Sequence, residues 1–203
     1  MQITSVTPLD KKRFKIVLDE EAAIVLYNSE MKRYHIVQGG DLPSEQYEEI
    51  LKEILFKRAR LRVVSLLKAS DKTEKELRKK LQEGYYPPEA IEHAIETVKN
   101  YHYVDDERYA RHYVEYGADK KSRRQLTYEL QKKGIDQETI SDLIEEIPID
   151  EEQQIKSFLR KRRYSGSSAS PEEKRKIAAA LGRKGFSYET VMRVIGEFCD
   201  NEY

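Results

Sequence analysis

One register of apolar, acidic and glycine positions occurs three times in the chain, and this repetition constrains the fold more than any other feature. Leu81, Leu130 and Leu181 are equivalent. Four residues before them stand Leu77, Leu126 and Ile177; eight after them stand Glu89, Glu138 and Glu189. Ten after come Ile91, Ile140 and Val191, and fourteen after come Ile95, Ile144 and Ile195. The steps from 81 to 130 and from 130 to 181 are 49 and 51 residues. Apolar residues three or four apart lie on one face of a helix. A glycine follows the first apolar pair in each copy (Gly84, Gly134, Gly185), with Tyr85, Ile135 or Phe186 after it. Glycine closes helices by adopting the left-handed conformation. Each copy therefore reads as a helix, a glycine cap, a short loop and a second helix. In the first copy the glycine comes one residue early and Pro87–Pro88 follow, so its loop is expected to differ.

Between these pairs there is room for one further helix each, at 105–117 and 150–163, and a helix at 57–69 precedes the first pair. Repetition at such a period indicates stacked supersecondary units. The expected fold is mainly α: three tandem three-helix repeats forming an elongated curved array, preceded by a small N-terminal β-hairpin or three-stranded segment. The divisions fall at 1–55, 56–103, 104–148 and 149–203. In the N-terminal part "ITSV", the alternating "RFKIVL" and "AAIVLY" read as strands, with Asp19–Glu20–Glu21 as a turn. So small a sheet needs something to pack on. Asn28 or Ser29 could cap a short helix, and "SEQYEEILKEILFKRARLRVVSLLKAS" reads as two helices or one long bent one. "YSGSSASP" (164–171) is expected to be the flexible connection, with Ser170 as N-cap and Pro171 at N1.

Composition narrows the class. Charged residues make up 36% and hydrophobic ones 38%, which suits helices burying one stripe each better than a single thick core. Cys199 is the only cysteine, so a disulfide framework or thiolate metal site within the chain is excluded. "MQITSVTPLDKKRF" lacks the apolar stretch of a signal peptide, and no window approaches the ~20 apolar residues of a membrane helix. A soluble cytoplasmic protein without membrane contact is expected.

"YHYVDDERYARHY" (101–113) places two adjacent aspartates among four tyrosines. Asp105 stands where an N-cap belongs, and Asp106 and Glu107 fall in the first helical turn, opposing the helix dipole. A catalytic pair would need a pocket and supporting groups. His35, His93, His102 and His112 form no metal motif. The aspartates are read as starting a helix, Tyr109 and Tyr113 as packing inward with Ala110 and Val114, and no catalytic residue or metal is assigned.

"NYHYVDDERYARHYV" resembles a signature of the RecX family, the bacterial regulators of the RecA recombinase. "TEKELRKKLQEGYYPPEAIEHAIETV" (73–98) and "KSRRQLTYELQKKGI" (121–135) are similar to its other motifs, in the same order. The N-terminal strands resemble an extension seen in some members. The third copy, "AAALGRKGFSYETVMRVIGEF", keeps the spacing but lacks a following "DD" helix. The resemblance implies a non-enzymatic modulator; no cofactor is expected, and a monomer is the simplest form for something that inserts into a groove. It would inhibit recombinase, ATPase and coprotease activity by lodging in the RecA filament groove.

Net charge is zero, with 37 basic and 37 acidic residues, but the charges segregate. Residues 136–152 hold eight acidic and no basic side chains, whereas 156–185 hold ten basic against two acidic. The candidate partner- and DNA-binding residues are the basic stripes: Arg78 and Lys79; Lys120, Lys121, Arg123, Arg124, Lys132 and Lys133; Arg160, Lys161, Arg162 and Arg163; Lys174, Arg175, Arg183 and Lys184. For Lys79 or Lys132 alone a solvated surface is the simpler reading; the run Arg160–Arg163, where like charges repel, points to a partner. A helix-turn-helix would send the second helix of each pair into the major groove. Those helices, "PEAIEHAIETVKN" and "DQETISDLIEEI" above all, would push Glu and Asp toward phosphates. The expected partners are the recombinase filament and single-stranded DNA, the latter bound weakly or through the filament. The alternative is a nucleic-acid-binding module with no recombinase partner. No GxxxxGK[ST] loop is present, and Gly39–Gly40 reads as a turn, so ATP hydrolysis by the chain itself is not expected.

Overall fold

The computed structural model describes residues 1–19 and 22–200, the last two by backbone alone. The expected turn residues Glu20 and Glu21, and the Cys199 side chain, lie outside the described residues.

Three strands, β1 (Ile3–Pro8), β2 (Arg13–Leu18) and β3 (Ala22–Tyr27), form an antiparallel meander in the order β1-β2-β3. Ile16 pairs with Ile24 and Phe14 with Leu26, so period-2 alternation turns one apolar face inward. That face has something to cover it. Ile16, Leu18, Ile24 and Leu26 share one core with Leu42, Tyr47 and Ile50, and with Leu77, Leu81, Ile91 and Ile95 of the first repeat.

Helix α1 (Asn28–Arg33) follows β3 directly. Its cap is Tyr27, whose N–H donates to Glu30 Oε2 at 2.7 Å, and neither Asn28 nor Ser29 fills that place. The long apolar stretch is one continuous helical run: α2 (Ser44–Ile50), a π segment (Leu51–Leu55) and α3 (Phe56–Ala69). The π segment widens the helix by one residue and shifts the apolar stripe of α3 relative to that of α2.

The three repeats then appear in order. The first pair is α4 (Glu74–Gln82) and α5 (Pro88–Asn100). The second repeat comprises α6 (Asp106–Gly117), α7 (Arg123–Lys133) and α8 (Gln137–Glu146). The third comprises α9 (Glu151–Lys161), α10 (Pro171–Arg183) and α11 (Tyr188–Asp200). Short polar residues start these helices by accepting the orphan N–H three residues on: Thr73 from Glu76, Ser122 from Gln125, Asp136 from Thr139, Asp150 from Gln153 and Ser170 from Glu173. Helix α6 begins at Asp106, which leaves Asp105 in the cap position and puts Asp106 and Glu107 in the first turn.

The turn inside each pair corrects the expected register. Gly134 and Gly185 are left-handed, at φ 93° and 90°, but Gly84 is not; Tyr85 takes that conformation at φ 57°. The closing bonds run from Tyr86 N to Leu81 O, Ile135 N to Leu130 O and Phe186 N to Leu181 O, five residues back in every case. Tyr85 is therefore the equivalent of the two glycines, and the first repeat is not a residue short. Gly84 is small for a different reason. A Cβ there would lie 3.0 Å from the Tyr86 ring and 3.2 Å from the Leu81 carbonyl.

The chain divides into two compact units, Met1–Asp105 and Asp106–Tyr203. The first has the merged core above. The second holds two cores, one around Val114, Leu126, Leu130 and Ile140, the other around Ile155, Leu159, Leu181 and Val194. Polar bonds join these two cores. Ser122 Oγ donates to the Lys184 carbonyl at 2.8 Å, Arg123 N–H to Glu151 at 2.8 Å, and Gln154 Nε2 to the Ala118 and Lys121 carbonyls. Residues 164–171 are not a free linker. Tyr164, Gly166 and Ala169 are buried, a 3-10 turn spans Gly166–Ser168, and Ser165 bonds to Glu173. Among the described residues no helix is long and apolar enough to cross a membrane.

Candidate partner and nucleic-acid interface

The sixteen cations singled out above do not behave alike. Arg78, on α4, binds Glu74 through Nε at 2.7 Å and Glu92 through both terminal nitrogens at 2.5 and 2.9 Å. It clamps α4 to α5, and the bonds to Glu92 push its pKa up despite partial burial. Burial alone would raise Glu74, but bonds from Lys99 and Arg78 bring it below the usual carboxylate range. Lys79, one residue on, is exposed and carries no ion pair among the described residues.

In the second repeat, Lys121 is half-buried and donates to Glu129 at 2.6 Å and to the Tyr113 hydroxyl at 2.9 Å. Burial opposes its charge, but these two bonds outweigh that and raise its pKa. Arg123 sends its guanidinium to the Ile144 and Ile149 carbonyls, at the C-terminal end of α8, where a cation answers the helix dipole. Lys133 lies over the rings of Tyr109 and Tyr113, which stack with centroids 6.1 Å apart. These three side chains hold the repeat together.

Lys120, Arg124 and Lys132 stay exposed. Lys120 sits 3.8 Å over the Tyr116 ring and Lys132 5.2 Å over Tyr128. Both tyrosines are outside the core, at 75% and 58% exposure, as are Tyr101 and Tyr103. The expectation of inward packing holds only in part: Tyr109 and Tyr113 are half-buried beside fully buried Ala110 and Val114. Both lysine–tyrosine pairs are four residues apart; the spacing signals the Lys132–Tyr128 pair within α7, whereas Lys120 reaches back to Tyr116 from beyond the end of α6.

In the third repeat, Arg160 and Lys161 form the last turn of α9, Arg162 caps it and Arg163 is left-handed at φ 50°. All four are exposed, and none has an ion-pair partner among the described residues. Arg162 lies 5.4 Å over the Phe158 ring. Lys174 is half-buried; Arg175, Arg183 and Lys184 are exposed at the two ends of α10. The second helices remain acidic. Glu138, Asp142, Glu145 and Glu146 are exposed on α8, where Arg111 grips Glu146 at 2.6 and 2.9 Å. Among the described residues no group of three or more His, Cys, Asp or Glu is placed to hold a metal ion. Exposed lysines and arginines beside exposed rings are the groups that can meet anions through charge and planar ligands through stacking.

Three family descriptions match the chain: "RecX, first three-helix domain" over residues 59–97, "RecX, second three-helix domain" over 105–144 and "RecX, third three-helix domain" over 150–195. The chain is 31% identical over 199 residues to a regulatory protein RecX of Caldanaerobacter subterraneus subsp. tengcongensis, covering 96% of this chain and 98% of that one. It is 26% identical over 196 residues to that of Clostridioides difficile, covering 94% and 92%. A crystal structure of regulatory protein RecX superposes with TM-score 0.62 at 25% identity, over 99% of both chains. RecX from Lactobacillus salivarius shares the fold, with TM-score 0.59 at 24% identity over 71% of this chain and 96% of that one.

Proposed function

Because the chain belongs to the RecX family of regulatory proteins, we propose that it binds the RecA–single-stranded-DNA filament and inhibits its recombinase, ATPase and coprotease activities. It acts as a monomer in the cytoplasm, without cofactor and without chemistry of its own. The observation that carries this reading is the split among the basic residues. Arg78, Lys121, Arg123 and Lys133 are spent on holding helices together. Lys79, Lys120, Arg124, Lys132 and Arg160–Arg163 are exposed, and they lie on or just beyond the first and bridging helices, none of them on an acidic second helix. Cations so placed suit phosphates and acidic protein surface. Weak contacts repeated along a repeating partner gain affinity through multivalency.

The exposed Lys120–Tyr116 and Lys132–Tyr128 pairs favour direct contact with bases as a second reading, since rings and cations together suit single strands. Reversing the charge at Arg160, Arg162 and Arg163 to Glu separates the two. Under the filament reading, inhibition of RecA strand exchange weakens at least about tenfold while the fold persists, because these side chains make no intramolecular ion pair among the described residues. Unchanged inhibition by the triple variant overturns it.

A further inference from the structure

The first unit holds a cleft of about 590 Å3 between the N-terminal sheet and helices α3 and α4. We infer that this cleft is a nucleotide-binding site, holding one unpaired base and its phosphate from a single-stranded nucleic acid. Its volume falls in the range of small-ligand sites. Its lining combines two chemistries that a nucleotide needs at once.

The first is guanidinium with open terminal nitrogens. Arg62, on α3, is exposed and has no hydrogen bond or ion pair among the described residues. Arg13, on β2, uses its Nε on Asp10 at 2.6 Å, and neither of its terminal nitrogens has a hydrogen-bond partner among the described residues. Guanidinium groups with unpaired terminal nitrogens, one from the sheet and one from α3, match phosphate oxygens better than point charges would. Lys80 also lines the cleft but is paired with Glu83 at 2.8 Å, the one acidic residue in the lining.

The second is aromatic surface. Tyr27, Tyr85 and Tyr86 all border the cleft. A cation already sits on one face of two of them: Arg58 4.6 Å over Tyr27, itself anchored to Glu30 and the Val25 carbonyl, and Lys15 4.4 Å over Tyr85. Both residues are still 37% exposed, which leaves surface for another planar ring. A base can stack there only if it has left a duplex, so the ligand is single-stranded. An acidic peptide would satisfy the arginines and leave the rings unused.

Two local irregularities converge on this place. Tyr85 holds the left-handed conformation that both sister turns give to glycine, and so keeps a ring on the cleft where the repeat calls for none. The π segment ends at Leu55, also in the lining. Unfavourable backbone states persist where function retains them, and π segments recur at such sites.

The inference deepens the reading above and rests on it only for the claim that the strand belongs to the filament. The test uses the full chain without recombinase and an oligothymidylate of about a dozen nucleotides, carrying iodouracil for photo-crosslinking. Crosslinks are expected at Tyr27, Tyr85 or Tyr86. Affinity, read by anisotropy of a labelled oligonucleotide, should fall about fivefold or more in both Arg62→Ala and Tyr85→Gly. Tyr85→Gly removes the ring while relieving its backbone, so it should melt no lower than the parent, and its lost affinity cannot be ascribed to unfolding. Crosslinks confined to residues beyond 105, unchanged affinity in both variants, or displacement of the oligonucleotide by poly-glutamate at equal charge concentration would overturn the site. If the site falls while the Arg160/Arg162/Arg163 variant still loses filament inhibition, the functional reading stands without it. Crosslinking at the cleft with no effect of the parent on a filament has the opposite meaning.

Discussion

The two compact units use the same three-helix module in opposite ways. In Met1–Asp105 the sheet and the first repeat fuse into one core, with Ile24 and Leu26 buried together with Leu77 and Leu81. In Asp106–Tyr203 the second and third repeats keep separate cores joined by polar bonds, chiefly Ser122 Oγ to the Lys184 carbonyl. A repeat alone buries little apolar surface. One copy solves this with a sheet, the other two by docking on each other, and only the docked pair keeps short side chains and glycine at its joint.

The largest effect should come from breaking the fused core. Ile24→Ala is expected to cost about 2–5 kcal/mol, because Ile24 is fully buried. Hydrogen exchange should then rise in α4 and α5 as well as in the sheet, while α7 and α10 stay protected. Leu181→Ala should cost a similar amount but raise exchange mainly in α9 to α11. If Ile24→Ala loosened only the strands, the two-way contrast would be wrong.

The next effect tests the polar joint. A Cβ on Gly185 would lie 2.5 Å from Ser122 Oγ, and the residue is left-handed at φ 90°. Gly185→Ala should therefore cost about 2–3 kcal/mol. Ser122→Ala removes both a helix cap and the bond to Lys184 and should cost about 1–2 kcal/mol. Chemical denaturation of each variant checks the order.

A smaller effect has the opposite sign. Tyr85→Gly should stabilise the first unit by about 1 kcal/mol, since a non-glycine residue there gives up that much to the left-handed state. The same substitution at an equivalent turn already exists as Gly134 and Gly185, so a lower melting temperature would contradict the equivalence of the three turns.

The smallest effect is on pH. Burial would raise Glu129, but bonds from Lys121, Tyr113 and Gln125 hold it below the usual carboxylate range. A depressed carboxylate stabilises the fold above its unfolded pKa, and that contribution is lost as pH falls through the folded value. Melting temperature should be flat through neutral pH and fall below about pH 4.5, less steeply in Glu129→Gln.

Much of this architecture is legible from spacing alone. The three-fold register places α4 to α11 because helix periodicity and capping are local, and Ser122, Asp136 and Ser170 signal their helices within three residues. The strands of the sheet follow from alternation. What is not legible is set by contacts distant in sequence. The left-handed state of Tyr85 is missed because Gly84 beside it is the residue type that usually takes it. Residues 164–171 have a linker's composition but bury Tyr164 and Ala169. Nothing local distinguishes Arg78, gripped by Glu92 fourteen residues on, from Lys79, which is free of ion pairs among the described residues. The cationic cleft was equally hidden. "FKRARLR" and "KKRFK" both carry a charge signal, but nothing local says that Arg13 of β2, Tyr27 at the end of β3 and Arg62 of α3 line one cleft.

We propose that the chain acts on a recombinase filament. The most direct test is the single-stranded-DNA-dependent ATPase of RecA, titrated with this protein. The expected result is a fall in rate at well below one copy per recombinase subunit, as one bound copy affects many neighbours. An ATPase rate unchanged up to equimolar protein, with oligonucleotide binding intact, would contradict the claim and leave a helical protein that binds single strands alone.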